Sequence, residues 1–337
     1  LRNYHFIRTK KLKIQTIYPL FDSQEMLLEE FMRQYEMGIP IRILVLKARQ
    51  MGLTTVCVAI LLWMVLFRPY SQCLSMSDEL ERVEVNFSMA RLAYNMLPWW
   101  LKPELRYNIK PTQLGFDRMR EEDRQSSSGM ESILYFESAN QPSGAAYSKS
   151  LYAAHMAELG RYRRADAITE GILGSLVELP RSVGIGEGTG RGRHTVWHKL
   201  WKAAEEKSFR WVPLFLEWYR EPGYAIAVPS NFRMTTEEKA MIEMVKAESS
   251  YQLTEAQINF YRTKQAEFTA TGDEEKMLQE FPNNPEEAFT AMGKTAFPKK
   301  RLKAMRLHFC RPPVWRCEIS LKKDNKTPRL LAYEEGR

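Results

Sequence analysis

The residues best placed to do chemistry lie in one short stretch, Lys47-Ala48-Arg49-Gln50-Met51-Gly52-Leu53-Thr54-Thr55. Two cations, one glycine and a hydroxyl pair suit the binding of an anion. Backbone N–H groups at a helix N-terminus hold phosphate oxygens, a lysine adds charge, and a threonine hydroxyl serves a nucleotide-bound Mg²⁺. The stretch departs from the common pattern G-x-x-x-x-G-K-S/T. Gly52 and Thr54 occupy the second glycine and the hydroxyl, but Lys47 stands at the first glycine and Leu53 at the usual lysine. On this pattern alone, a basic strand-to-helix turn on a solvated surface is an equal alternative.

Elements of definite type must hold such a loop. Ile41 to Leu46 is an apolar run suited to a buried parallel strand, and Val56 to Leu66 is apolar and long enough for a core helix. Further strands are expected at 72–77, 133–136, 150–156, 182–186 and 210–219. Helices are expected at 79–97, 194–204 and across 235–282, where 253–269 is one of them. The alternation implies an α/β fold with a central, mostly parallel sheet flanked by helices and a smaller helical subdomain. An earlier helix is read at 24–37, with Asp22 or Ser23 as N-cap. Gln24, after an aromatic and a proline, has an amide able to pair with an adenine edge; the plain reading is an exposed glutamine in a first turn. Trp99 and Trp100 read as a packing corner. Residues 1–16 read as a basic arm, and 120–129 as a polar loop.

Composition narrows the field softly. The formal net charge is +8 over 337 residues, which favours an anionic partner. Cys57, Cys73, Cys310 and Cys317 form no CxxC pair, so a reducing compartment without structural zinc is expected. His194 and His198 have helical metal spacing but no third ligand, and read as surface or packing residues. No signal peptide is evident, and the longest apolar run, Val56 to Phe67, is too short to span a membrane.

The specific form Lys-x-Arg-Gln-x-Gly-x-Thr-Thr resembles the deviant Walker A loop of viral large terminases, the motors that package DNA into procapsids. In that family the lysine moves to the front of the loop, as Lys47 does. Three further stretches follow in the family's order. His155-Met156-Ala157-Glu158 resembles its Walker B variant, in which a small residue replaces the Asp before the catalytic Glu. Glu187-Gly188-Thr189 resembles its coupling triplet, although a glycine-rich turn is the plain reading. Pro282-Asn283-Asn284-Pro285-Glu286-Glu287-Ala288-Phe289 resembles the phrase that ends its ATPase domain.

The resemblance implies a P-loop ATPase of the ASCE type using ATP and Mg²⁺. Lys47 and the loop from Ala48 to Thr55, with Gln24, would bind nucleotide. Thr54 would serve the metal, Glu158 would align water, Arg49 would assist at the γ-phosphate, and Glu187, Gly188 and Thr189 would couple. For Ala157, either another carboxylate (Asp78, Glu137 or Glu187) compensates or ordered water suffices. In related terminases an Arg that follows a Gly reaches into the neighbouring subunit's site. Here Gly144 is followed by no arginine before Arg161, which leaves Lys149 or the cluster Arg161, Arg163 and Arg164. The cluster matches a planar, bidentate role better, but it reads equally as a solvated or DNA-binding face.

The implied domains are a motor over 1–297, with 1–40 and about 220–297 forming the smaller subdomain, and a linker over 298–337. That tail is too short for the family's nuclease, so no endonuclease is expected in this chain. The implied partners are double-stranded DNA, the portal of the procapsid, the small terminase subunit and further copies in a ring, a pentamer by resemblance. The expected place is the host cytoplasm at the portal vertex, with no membrane. The rival readings are another DNA-stimulated ATPase such as a helicase, and a non-catalytic DNA-binding assembly protein with a decayed site.

Overall fold

The computed structural model describes residues 3–9, 13–107, 112–120, 122–123, 129–141 and 149–289, and the backbone alone of two later strands, Trp315–Leu321 and Pro328–Glu335. The N-terminal segment, expected as an irregular arm, instead forms a small antiparallel pair, β1 (Phe6–Arg8) and β2 (Ile14–Thr16). Helix α1 (Asp22–Glu36) follows, then β3 (Ile41–Lys47), every residue of which is buried. Helix α2 (Leu53–Phe67) is apolar all round, as a helix enclosed in a core must be.

Strand β4 (Gln72–Ser77), helix α3 (Leu80–Asn95) and the short strands β5 (Leu105–Tyr107) and β6 (Gln113–Phe116) come next. Then follow β7 (Ser132–Ser138), β8 (Ala153–Ala157), α4 (Ala165–Ser175), β9 (Val183–Gly188), α5 (Val196–Glu205) and β10 (Val212–Leu216). Helices α6 (Thr236–Ser249), α7 (Glu255–Ala270), α8 (Glu274–Glu280) and α9 (Pro285–Ala288) complete this part.

Eight strands form one sheet in the order β10-β3-β9-β8-β4-β7-β6-β5. The run from β10 to β7 is parallel throughout, and β6 and β5 extend it antiparallel at one edge. Strand β9 therefore lies between β3, which leads into the cationic loop, and β8, which leads to Glu158. That inserted strand is the mark of the ASCE arrangement. Both faces of the sheet are covered, which is why its strands are apolar on both sides. On one face Ile41, Ile43, Val45, Val183 and Ile185 meet α2 and α3. On the other Leu44, Leu46, Leu74 and Met156 meet Ile168 and Ile172 of α4 and the buried Trp197 and Trp201 of α5.

Two local expectations change. The N-cap of α1 is Phe21, not Asp22 or Ser23, because Gln24 closes the turn: the Phe21 N–H donates to Gln24 Oε1 at 3.1 Å. The Trp99-Trp100 pair is packed on one side only, where Trp100 meets Tyr4 edge-on at 5.7 Å. Tyr94 closes that corner by donating its hydroxyl to Pro103 O at 2.6 Å, leaving Trp99 86% and Trp100 57% exposed.

The helices after β10 are anchored by aromatic rings. Trp218 stacks on Phe260 at 5.9 Å, Tyr224 on Phe260 at 4.7 Å, and Trp218 Nε1 donates to Asn283 Oδ1 at 3.0 Å. The chain divides into two compact units, Leu1–Met292 and Gly293–Arg337. Within the second, β11 (Trp315–Leu321) and β12 (Pro328–Glu335) pair antiparallel. The Gly144–Ser148 stretch, most of the 120–129 loop, and Cys310 lie outside the described residues.

Candidate phosphate-binding site

The C-terminal ends of β3, β9 and β8, three neighbours in a parallel sheet, converge on one spot. That edge of an open α/β sheet is where ligands bind. Side chains alternate along each strand, so Lys47 on β3, Glu187 on β9 and His155 on β8 all emerge on the α2 face. The loop from Lys47 then turns sharply into α2. Gln50 has φ of 57° and Gly52 has φ of 69°, both left-handed, and Gly52 is the N-cap of α2. A side chain at Gly52 would also meet Gln24, whose Nε2 lies 2.7 Å from the position of a Cβ there. The first-turn N–H groups of α2 are thus presented beside Lys47 with no side-chain cap.

Helix α1 braces this loop. Gln24 Nε2 donates to Gly52 O at 3.0 Å and Ser23 Oγ to Met51 O at 3.4 Å. Gln24 is buried, with its oxygen engaged by Phe21, so its amide acts as a strut between helix and loop. Arg49 is held from the other side: its N–H donates to Glu280 O at 2.9 Å, and its guanidinium lies 3.8 Å from Glu280 Oε2. Tyr224 donates its hydroxyl to Arg49 O.

Lys47 is the centre of the site. Its Nζ lies 3.1 Å from Glu158 Oε1 and 3.2 Å from Glu187 Oε2. Glu187 Oε1 accepts from the Thr54 hydroxyl at 2.7 Å and lies 3.5 Å from His155 Nε2. Lys47, Glu187 and His155 are all buried, so water screens these charges little. Burial alone pushes the Lys47 ammonium down, yet Glu158 and Glu187 hold its pKa above the ordinary lysine value. Burial likewise pushes the Glu187 carboxyl up, but Lys47, His155 and Thr54 bring it down to about 2. Both directions leave the pair ionised.

Glu158 stands just past β8 in the left-handed region, with φ of 55° and ψ of 43°. A non-glycine residue there costs roughly 1–3 kcal/mol and persists only where its surroundings fix it. Here Lys47 fixes one carboxylate oxygen, and Arg161 Nε stands 3.4 Å from the other. Of the three arginines beyond Glu158, Arg161 ends a single 3-10 turn, Leu159–Arg161, and Arg164 is the N-cap of α4. Arg161 is engaged with Glu158, whereas Arg163, Arg164 and Lys149 are exposed.

The Glu187-Gly188-Thr189 triplet is partly strand. Glu187 and Gly188 belong to β9, and Thr189 follows buried. The chain then touches the Pro285–Ala288 helix so closely that a Cβ at Gly190 would fall 1.8 Å from Ala288 O. Sequence reasoning gave no role to His155, Glu280 or Tyr224. His155 left a signal, a titratable residue inside an apolar strand; the other two become neighbours of the loop only through the tertiary fold. His194 and His198 hydrogen-bond to each other, His194 N–H to His198 Nδ1 at 3.4 Å.

The donors suit a phosphate-bound Mg²⁺. Mg²⁺ takes hard oxygen ligands, keeps several waters, and is usually held by one or two protein groups plus phosphates. Thr54 and Glu187 supply such oxygens, hydrogen-bonded to each other at 2.7 Å. No group of three or more His, Cys, Asp or Glu suited to a metal exists among the described residues, so the protein alone offers no closed metal cage there. Nor is any helix among them long and apolar enough to cross a membrane.

No protein-family model matches the sequence, and no curated protein does. Solved structures do match. The HK97 bacteriophage large terminase aligns with a TM-score of 0.52 at 15% identity, over 84% of this chain and 54% of that one. The Thermus phage P74-26 large terminase ATPase domain aligns with a TM-score of 0.46 at 10% identity, over 73% of this chain and 87% of that one. This chain spans about half the length of the HK97 protein it matches. With its ASCE strand order and its loop between β3 and α2, the chain has the fold of the matched half of that bacteriophage large terminase.

Proposed function

We propose that this chain is the ATPase motor of a large terminase, an ATP-driven translocase that moves double-stranded viral DNA into a procapsid. The observation that carries the reading is the convergence of Lys47, Thr54, Glu158 and Glu187 at the ends of adjacent parallel strands. Phosphoryl transfer asks a protein chiefly for positioning and charge. Lys47 and the N–H groups opening α2 would hold the β- and γ-phosphates, with Gln24 and Ser23 keeping the loop in shape. A bound Mg²⁺ would supply charge neutralisation, and Thr54 is the residue that would hold it. Glu158 would orient the attacking water once Lys47 turns from carboxylate to phosphate. Arg49 would assist at the γ-phosphate.

Double-stranded DNA, a portal protein, a small terminase subunit and further copies in a ring are the partners this reading entails, at the portal vertex in the host cytoplasm. The net charge of +8 supports an anionic cargo gripped through its phosphates, with little base preference. The test is ATP hydrolysis measured with and without double-stranded DNA, together with displacement of a triplex-forming strand from a linear duplex. The expected result is DNA-stimulated hydrolysis and triplex displacement without separation of the duplex. Duplex unwinding would make the protein a helicase. Absence of hydrolysis under all conditions would make it a DNA-binding assembly protein.

A further inference from the structure

Strand β8 ends in Ala157-Glu158, so the strand that carries the water-orienting glutamate has no carboxylate to arrange a metal's water shell. The sheet brings one from next door. In the parallel pairing of β8 with β9, Ala157 lies opposite Glu187. Glu187 Oε1 accepts from Thr54 at 2.7 Å, the hydroxyl that the phosphate loop offers to the metal. Glu187 Oε2 is fully buried, with the Lys47 ammonium 3.2 Å away as its ion-pair partner.

The two other candidate carboxylates are placed differently. Asp78, at the end of β4, is ion-paired with Arg82 at 3.4 Å. Glu137 is on β7, which β4 separates from β8. We propose that Glu187 is the metal-orienting carboxylate of this site, acting from the strand beside the one that carries Glu158. It rests on the nucleotide reading given above. Glu187 is then a positioning residue that acts through Thr54 and the water shell of a nucleotide-bound divalent cation. His155, 3.5 Å from Glu187 Oε1 and 3.4 Å from Ser75 Oγ through its other nitrogen, fixes the carboxylate's orientation from behind. Such supporting contacts set the geometry of a metal-facing group. A role confined to coupling needs neither the hydrogen bond to Thr54 nor a position opposite residue 157.

The experiment separates metal use from turnover. A fluorescent ADP analogue is titrated into the full chain in Mg²⁺ and again in EDTA at matched ionic strength. The parent protein is expected to bind at least about tenfold more tightly with Mg²⁺, a difference near 1.4 kcal/mol. Glu187→Gln, which keeps shape and an oxygen for Thr54, is expected to bind equally with and without Mg²⁺, at an affinity no weaker than the parent's in EDTA because Lys47 has lost one of its two carboxylate partners. A Gln variant that keeps the parent's Mg²⁺ dependence overturns the proposal and leaves the ATPase reading standing. A parent that binds no nucleotide removes both. Should the Gln variant fail to fold, Glu187→Asp decides. The shorter carboxylate is expected to shift the Mg²⁺ midpoint upward by at least about threefold, and an unshifted midpoint overturns the proposal.

Discussion

Glu158 and Lys47 touch at 3.1 Å, yet substitution of each should fail in its own way. In the proposed motor Lys47 carries charge to the phosphates, so Lys47→Ala is expected to weaken nucleotide binding by roughly tenfold or more and to abolish hydrolysis. Glu158 in the same proposal acts on water, so Glu158→Gln is expected to keep nucleotide affinity within about threefold and to lose turnover by two or more orders of magnitude. Equilibrium binding and steady-state hydrolysis on both variants separate the two. Parent-rate hydrolysis by Glu158→Gln would remove the glutamate from its assigned role. The types and spacing of these residues made the loop, the strand-end glutamate and the triplet legible in the sequence. That Glu187 engages Lys47 and Thr54 was not legible, because strand pairing across more than a hundred residues decides it.

At the scale of elements, the strands were legible because strands buried on two faces are uninterrupted apolar runs. The β1–β2 pair and the β5–β6 edge were not, since strands of three or four residues carry too little pattern to read. Contact between the β9 exit and α9 was equally hidden. It makes Gly190 a strict position: Gly190→Ala places a methyl into the Ala288 carbonyl and is expected to cost about 2–4 kcal/mol. Gly174, in helix α4, has nothing within 4 Å of its would-be Cβ, so Gly174→Ala is expected to stabilise by about 0.5–1 kcal/mol. Urea midpoints of the two variants measure both effects, and equal shifts would contradict the packing assigned to Gly190.

A second element-scale prediction concerns the β1 end. His5 is buried with Nε2 unpartnered, in a cleft lined by Ala59, Leu62, Trp63, Leu66, Ala93 and Leu97. Burial lowers its pKa from 6.5 to about 4. Between those values the unfolded chain takes up a proton that the folded chain refuses, so stability falls as pH drops through that window, by about 3 kcal/mol in all. Replacement by an uncharged residue, His5→Leu, is expected to flatten the unfolding free energy between pH 6.5 and 4. An unchanged slope would place the titrating group elsewhere.

For the whole molecule, the open question is whether a site is complete within one chain. Arg161 is committed to Glu158 of its own subunit, whereas Arg163 and Arg164 are exposed beside the site and free to serve a neighbour. A trans-acting arginine predicts that hydrolysis per subunit rises steeply with protein concentration as rings form. It also predicts that inactive Lys47→Ala chains mixed with Arg163→Ala/Arg164→Ala chains recover activity at hybrid interfaces. Flat activity per subunit and no recovery in mixtures would mean a site complete in cis, with Arg49 as the donor. In the ring motor proposed above, some phosphate loops would stand vacant while a long polyanion slides past. A bare lysine there would snag the cargo's own phosphodiesters. Lys47 is already occupied on two sides, at 3.1 and 3.2 Å. A vacant site is thereby shielded from stray phosphodiesters and yields only to a ligand whose clustered charge exceeds that of two glutamates.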